Sequence, residues 1–311
     1  MKKAVIIGVT GNELANQLWN YASIYAYTLE HKIELSNPSF FEYGEYFNMP
    51  AAPNILFKLF FFLPFSNYTK RKTSIKRKIW RKFYKWYSSV VLMLAGNNVA
   101  YADEKKPKAH YLPPSSPVSD SVADMKKGNT IYFNGWLFRN PKGLEKYRNE
   151  IIKYFSPRKD IGEDVAENIK NLRKKYSGLI GVHIRQGDYR TWRDGKYFME
   201  HGRVREILGE YLKIKGKDEG EVCFVITSDG KINSEVFKGL NVFISRGNAV
   251  QDLFLLSKTD TIIGSNSTFG AFASYYGNIP FIVMENGNMD WDYYKDKEKY
   301  FENKYSTFVF Y

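Results

Sequence analysis

The chain has 311 residues, enough for two domains of ordinary size, each with a core of its own. Apolar residues make up 44% and aromatic residues 17%, which excludes a disordered or fibrous chain, and a single cysteine, Cys223, excludes an internal disulfide and fits a reducing cytoplasm. The formal net charge of +13 calls for an anionic partner, and its distribution decides which kind.

Residues 4–9 form an apolar run too short for a signal peptide, and they lead straight into Thr10-Gly11-Asn12-Glu13, so a first β-strand is expected there. A helix over 14–30 and a strand over 32–35 complete a βαβ opening of the nucleotide-binding kind. The most apolar later window, 55–65, is interrupted by Lys58 and Pro64 and falls well short of the roughly 20 residues of a spanning helix. No transmembrane segment is expected.

Between Tyr46 and Ala102 there is no Asp or Glu, whereas Lys58, Lys70, Arg71, Lys72, Lys76, Arg77, Lys78, Arg81, Lys82 and Lys85 supply ten positive charges. From Ile75 onward the period is helical: Ile75, Ile79, Phe83, Trp86 and Val90 form a stripe, Trp80, Tyr84, Tyr87 and Val91 lie beside it, and the basic residues lie opposite. Such a helix suits an anionic membrane surface met through Lys70–Lys85, and equally a helix packed on the protein with its basic face solvated. Nucleic acid is not an expected partner, because no nucleic-acid-binding motif accompanies the charge.

Pro107, Pro113, Pro114 and Pro117 make 102–121 a loop. A strand over 130–133 and a helix over 141–155 follow, ended by Ser156-Pro157, a hinge candidate. Beyond it come helix 162–176, strand 179–185, helix 204–214, strands 221–227 and 242–243, helix 251–257, strand 261–264, helix 269–276 and strand 281–284. This alternation predicts two doubly wound α/β domains facing a cleft, 1–157 with a basic aromatic insertion at about 55–100, and 158–311, whose last residues, 290–311, are long enough to cross back to the first.

The densest polar stretch is Gly181-Val182-His183-Ile184-Arg185-Gln186-Gly187-Asp188-Tyr189-Arg190. On an extended 179–185, His183 and Arg185 share one face while Val182 and Ile184 pack on the other. A guanidinium offers phosphate oxygens a planar fork and keeps its proton, which suits a departing diphosphate. Taken alone, the run also fits a strand-end Arg185 paired with Asp188.

Three further segments stand in order around it. They are Gly11-Asn12-Glu13-Leu14-Ala15-Asn16-Gln17-Leu18-Trp19-Asn20-Tyr21-Ala22, then Ile131-Tyr132-Phe133-Asn134-Gly135-Trp136, then Asp252-Leu253-Phe254-Leu255-Leu256-Ser257, continuing through Gly264 to Ser265-Asn266-Ser267-Thr268-Phe269. Together the four resemble the GDP-fucose-dependent fucosyltransferases, most closely the α-1,2-fucosyltransferases, which are related to the α-1,6- and protein O-fucosyltransferases. The chain departs from that pattern at Ala15, where glycine is usual, and at Gln186, where a second arginine is usual.

The resemblance implies a GT-B fold and metal-independent, inverting transfer of fucose from GDP-fucose to a sugar hydroxyl, in an α-1,2 linkage, during assembly of a surface polysaccharide. The implied partners are GDP-fucose and a glycan acceptor, lipid-linked at the inner face of a membrane. Arg185 would hold the leaving GDP, with Asn16, Ser265, Ser267, Thr268 and Phe269 around the donor at helix starts. His183 would touch guanine or ribose, and Asp252 would accept from guanine N1 and N2. As base, Glu13 stands ahead of Asp188 and Asp194, since a carboxylate beside Arg185 stays ionised. Two other readings remain open: Asp290-Trp291-Asp292 as the Mn²⁺-holding DxD of a GT-A glycosyltransferase, and a non-catalytic glycan- or membrane-binding protein, encouraged by Ala15 and Gln186.

Overall fold

The computed structural model describes residues 3–8, 13–49, 75–96, 98–101, 110–111, 130–135 and 138–295. The Gly11-Asn12 loop, the apolar window 55–65, the basic residues 58–72, Trp136, the tail beyond Lys295 and most of the proline-rich loop lie outside the described residues. The chain divides into two compact units after Arg158.

In the first unit, β1 (Lys3–Ile6), β2 (Glu34–Ser36), β3 (Val99–Tyr101) and β5 (Thr130–Asn134) form a parallel sheet in the order β2-β1-β5-β3, while β4 (His110–Tyr111) pairs with β6 (Phe138–Arg139). Helix α1 (Leu14–His31) buries Leu14, Leu18, Trp19, Ala22 and Ile24 and stops at Lys32, whose left-handed backbone (φ 52°) turns its N–H back to the Leu29 carbonyl. Gly8 lies where the ends of β1 and β5 converge. A Cβ there would stand 2.5 Å from Asn134 Oδ1 and 2.6 Å from the Gly135 nitrogen, so only glycine allows the approach.

Two features of this unit differ from the sequence-based expectation. The single helix expected over 141–155 is split into α3 (Pro141–Lys146) and α4 (Arg148–Tyr154) at Tyr147, which leaves helical geometry and donates its hydroxyl to Glu30 Oε2 (2.6 Å). Helix α2 (Ile75–Ala95) is seated through a face the apolar stripe does not mark. Tyr84 is fully buried and donates to the Ile7 carbonyl (3.1 Å), Ser88 is buried, and Arg81 grips Glu42 with Nε at 2.5 Å and Nη2 at 3.0 Å. Of the stripe, Ile79 and Trp86 face out, 60% and 63% exposed, while Phe83 and Val90 are half-buried; further along the helix Met93 and Leu94 are 75% and 77% exposed.

The second unit runs α5 (Lys159–Arg173), β7 (Gly178–Ile184), α6 (His201–Lys215), β8 (Val222–Ser228), β9 (Val242–Ile244), α7 (Ala249–Leu256), β10 (Thr261–Gly264), α8 (Thr268–Gly277), β11 (Phe281–Val283) and α9 (Trp291–Tyr294). All its strand pairs are parallel, in the order β11-β10-β7-β8-β9. Both faces of such a sheet are covered, which is why β7 and β8 are buried throughout and read as nearly continuous apolar runs. Ile180, Val182 and Ile184 join Val204, Ile207 and Leu208 of α6 in the core. Each such aliphatic side chain stabilises the unit by about 1.5–3 kcal/mol through burial. Cys223, on β8, is 2% exposed and its thiol is pushed up to about 11 by burial.

The chain leaves β9 and returns on the far side of β7 to lay down β10. The order reverses there, so the crevice at the carboxyl ends of β7 and β10 is the topological switch point at which such sheets take ligands.

Candidate active site

The sheet register delivers the polar residues of three strands to that edge. His183 pairs with Gly264 of β10 on one side and Thr227 of β8 on the other. With Val182 and Ile184 committed to the core, the alternation sends the His183 side chain to the opposite face. There its Nδ1 meets Thr227 Oγ1 at 3.2 Å and its ring stacks on Phe269 (centroids 4.6 Å apart, 27°). Burial first, and Arg185 second, push the His183 pKa down to about 3 against the opposing pull of Asp229, so the ring is neutral. Its Nε2 is buried with no hydrogen-bond partner in the protein.

Arg185 follows the last residue of β7. Its Nη2 lies 2.7 Å from Asp188 Oδ1 and its Nη1 3.3 Å from Asp229 Oδ2, and the guanidinium sits over the Tyr189 ring at 5.2 Å. Burial opposes its charge, but Asp229 and then Asp188 outweigh that and hold its pKa above the ordinary value. The Arg185 Nε is buried without a partner. Asp229 also accepts from the backbone N–H of Gln186 (2.7 Å) and Gly187 (3.1 Å). Although burial works against it, Arg185 and those two amides hold its carboxyl below the usual carboxylate range. Gln186 turns inward and donates its amide to the Met199 carbonyl (2.9 Å), so this departure from the usual arginine acts as a strut behind the turn.

On the β10 side, Ser265 accepts the Arg185 N–H at its Oγ (3.0 Å), tying the two strand ends together. Ser267 is the N-cap residue of α8, yet its side chain makes no capping bond and its Oγ is buried without a partner, as is the Oδ1 of Asn266. Thr268 and Phe269 open the helix, whose first N–H groups have no intrahelical acceptor. At Gly270 a Cβ would lie 2.8 Å from the Phe281 ring, so glycine lets α8 sit close on β11.

Asp252 lies on α7, 4% exposed, and accepts from the Ser245 hydroxyl, which in turn accepts the Gly247 N–H (3.1 Å). It thus stands beside the loop that follows β9. In the first unit, Glu13 is the N-cap residue of α1 and accepts from the Tyr43 hydroxyl (3.2 Å), and Asn16 Oδ1 is buried without a partner. Asn20, from the same motif, donates to the Gly135 carbonyl (3.2 Å) and accepts the Phe138 N–H (3.1 Å), which joins two of the four sequence segments. Asp194 occupies an exposed loop with φ 57°. Asp290 caps the short helix α9 by accepting the Tyr293 N–H (3.1 Å), so the Asp290-Trp291-Asp292 triplet begins a helix.

Residues 126–307, more than half of the sequence, match the profile of Glycosyl transferase family 11. The chain belongs to that family. Relatives of this family 11 chain include galactoside alpha-(1,2)-fucosyltransferase 2 of Sus scrofa, 24% identical over 172 residues, and that of Bos taurus, 26% identical over 172 residues. Each match covers 50% of this chain and 47% of the relative, so the chain spans about half the length of the curated relatives it matches. Among solved structures, fucosyltransferase NodZ from Bradyrhizobium superposes with a TM-score of 0.52 at 16% identity, covering 93% of this chain and 97% of that one. NodZ alpha-1,6-fucosyltransferase soaked with GDP-fucose gives 0.51 at 16% identity and the same coverage. The family 11 chain therefore has the GT-B fold, and the GT-A reading of Asp290 and Asp292 is set aside.

The arrangement in this family 11 protein combines a fixed guanidinium, a helix start and several buried polar atoms that lack protein partners, all at the carboxyl ends of β7 and β10. That is the chemistry of a phosphate-bearing ligand. Sequence reasoning missed Asp229 and Thr227. The available signal was the polar triplet Thr227-Ser228-Asp229 closing an apolar strand, as His183-Ile184-Arg185 closes another.

Proposed function

We propose that this chain transfers fucose from GDP-fucose to a hydroxyl of a galactoside, with inversion, forming an α-1,2 linkage and using no metal. The observation that carries the reading is the group of buried, unpartnered atoms at the β7–β10 switch point: His183 Nε2, Arg185 Nε, Asn266 Oδ1 and Ser267 Oγ. Leaving such groups unsatisfied costs about 1–3 kcal/mol each, so their concentration at one edge marks a place completed by a polar ligand.

In this reading Arg185 and the start of α8 neutralise the charge that gathers on GDP as the sugar–phosphate bond breaks. Neutral His183 offers a ring nitrogen to the nucleoside without changing charge, and Asp252 accepts from the base. Glu13 takes the proton of the attacking hydroxyl, while Asp188, bound to Arg185, keeps the guanidinium in place. Residues 158–311 bind the GDP-sugar, and 1–157 supply the base and the acceptor side, with Ser156-Pro157 as hinge. The acceptor is a lipid-linked glycan of a growing surface polysaccharide, met at the inner face of a membrane. Support for that setting comes from the exposed apolar residues Ile79, Trp86, Met93 and Leu94 on the same helix as exposed Lys82 and Lys85.

Calorimetry with GDP, GDP-fucose, GDP-mannose and UDP-galactose, each with and without EDTA, tests the reading. GDP and GDP-fucose should bind regardless of EDTA, and UDP-galactose should not. Equal binding of UDP and GDP sugars, or binding that needs Mn²⁺, would refute it.

A further inference from the structure

Residues 40–43 lie between helix α2 and the proposed base, and each of the four is anchored to a different group of the first unit. The Phe40 ring meets Tyr21 of α1 edge-on (centroids 5.5 Å apart, 71°), and the Phe41 ring lies against Tyr84 of α2 (5.1 Å, 31°). Glu42 is buried and accepts from Arg81 of α2 through Nε (2.5 Å) and Nη2 (3.0 Å). Tyr43 is buried and donates its hydroxyl to Glu13 Oε2 (3.2 Å). Tyr84 closes the frame by donating to the Ile7 carbonyl (3.1 Å), just past β1 and a few residues ahead of Glu13.

Glu13 gets no such hold from its own helix. It is the N-cap residue of α1, yet its side chain makes no capping bond, since its stem is one methylene longer than those of the Asp and Asn that suit that turn. A longer stem also has more rotamers to choose from. A general base must keep its oxygen within about 2.6–3.2 Å of the group whose proton it takes, so a choice among those rotamers has to be imposed from outside.

The Tyr43 hydroxyl imposes it. A phenol at neutral pH can only donate to a carboxylate, and the ring that carries this one is buried against Phe40 (5.8 Å, 43°). The neighbouring residue makes the pose stiff. Glu42 is a buried carboxylate gripped by both arms of a guanidinium, so the turn cannot slide without stranding a charge away from water.

We infer that Tyr43 is the positioning residue of Glu13, and that α2, through Arg81 and Glu42, fixes Tyr43 in place. The basic helix is thereby a working part of the acceptor-side unit: one face is exposed, and the other braces the carboxylate that takes the proton. This inference rests on the reading of Glu13 as the base.

Steady-state transfer from GDP-fucose to lactose by the full chain tests it, with calorimetry of GDP alongside. Glu13→Gln should lower kcat by roughly 10²-fold or more, the scale of a general base. Tyr43→Phe, which removes only the hydroxyl, should lower kcat roughly tenfold, the scale of one hydrogen bond to a charged group. Arg81→Lys, which keeps a charge opposite Glu42 but loses the fork, should lower it roughly two- to fivefold. In both, the KM for GDP-fucose and the Kd for GDP should stay within about twofold of the unmodified values. In a Glu13→Gln background neither change should cost further activity, because no base is left to aim, and this non-additivity separates positioning from a general loss of structure. Unchanged kcat in Tyr43→Phe while Glu13→Gln is crippled overturns the inference, as does an equal loss from Tyr43→Phe with and without Glu13. A near-normal kcat in Glu13→Gln instead overturns the base assignment, and the inference falls with it.

Discussion

Asp229, at the end of β8, holds Arg185, at the end of β7, by an ion pair at 3.3 Å, while its other oxygen accepts the amides of Gln186 and Gly187. One carboxylate therefore fixes both the charge of the guanidinium and the turn that carries it. Asp229→Ala should cost about 3 kcal/mol in chemical denaturation, because it strands two amides and a largely buried cation. Asp229→Asn, which keeps an acceptor, should cost less. The carboxyl is held below its ordinary range, so its contribution is full above about pH 3.9 and is lost as pH falls through the lower folded value. Equal losses in the two variants would show that the amide bonds carry nothing.

Arg185→Ala should lower kcat by roughly 10²-fold or more while the fold persists, the scale for one preorganised donor at a developing charge. Arg185→Lys should restore only part, since a point charge does not reproduce the planar fork. Steady-state transfer assays together with circular dichroism decide this, and near-normal turnover in Arg185→Ala would remove the centre of the mechanism.

His183 imposes a pH dependence of its own. An unfolded histidine gains a proton near pH 6.5, whereas the folded one resists until about 3, so the unfolded state binds more protons between these values. Stability should therefore fall steadily as pH drops through that window and should be insensitive to this group above it. Denaturation midpoints at pH 7 and pH 5 should lie closer together in His183→Gln than in the unmodified protein. An identical spacing would mean that the imidazole is charged in the fold.

Asp252→Asn should weaken GDP and GDP-fucose together by roughly tenfold, the scale of a hydrogen bond to a charged acceptor, without altering the temperature of unfolding by more than a few degrees. Calorimetry of both ligands would show it. A loss confined to GDP-fucose would place Asp252 at the sugar and not at the base.

For the basic helix, Lys82→Glu with Lys85→Glu should abolish sedimentation with anionic liposomes at low salt, since each cation contributes about 1 kcal/mol near such a surface. Transfer to a small soluble acceptor should persist. Arg81 is unsuited to this test, because its replacement by Glu would face Glu42 across a seated contact. If the unmodified protein ignores anionic liposomes, the exposed apolar residues of α2 have another purpose.

The alternation of strands and helices in 159–284 was legible because each buried strand is a short apolar run closed by polar residues or glycine, and each helix carries its own start and stop. His183 and Arg185 were legible for the same reason, as polar side chains at the end of such a run. Asp229 was not, since its role depends on β7 and β8 lying side by side with partners 43 residues apart. The face on which α2 is seated was illegible too. Periodicity reveals that a helix has two faces, but the buried Tyr84 hydroxyl and the Arg81–Glu42 pair select the inward one. The break at Tyr147 likewise depends on a distant partner, Glu30.

Cys223 gives the molecule an internal clock. It is the one thiol in the sequence, it lies in the central part of the second unit's sheet, and its raised pKa keeps it from reacting while β8 is in place. Alkylation of the native protein consequently proceeds at the rate at which that sheet opens, with no competing thiol in the first unit. A mass shift followed over time in dilute urea would report the opening of the second unit alone, and its slowing by GDP would measure how firmly a nucleotide locks the sheet shut.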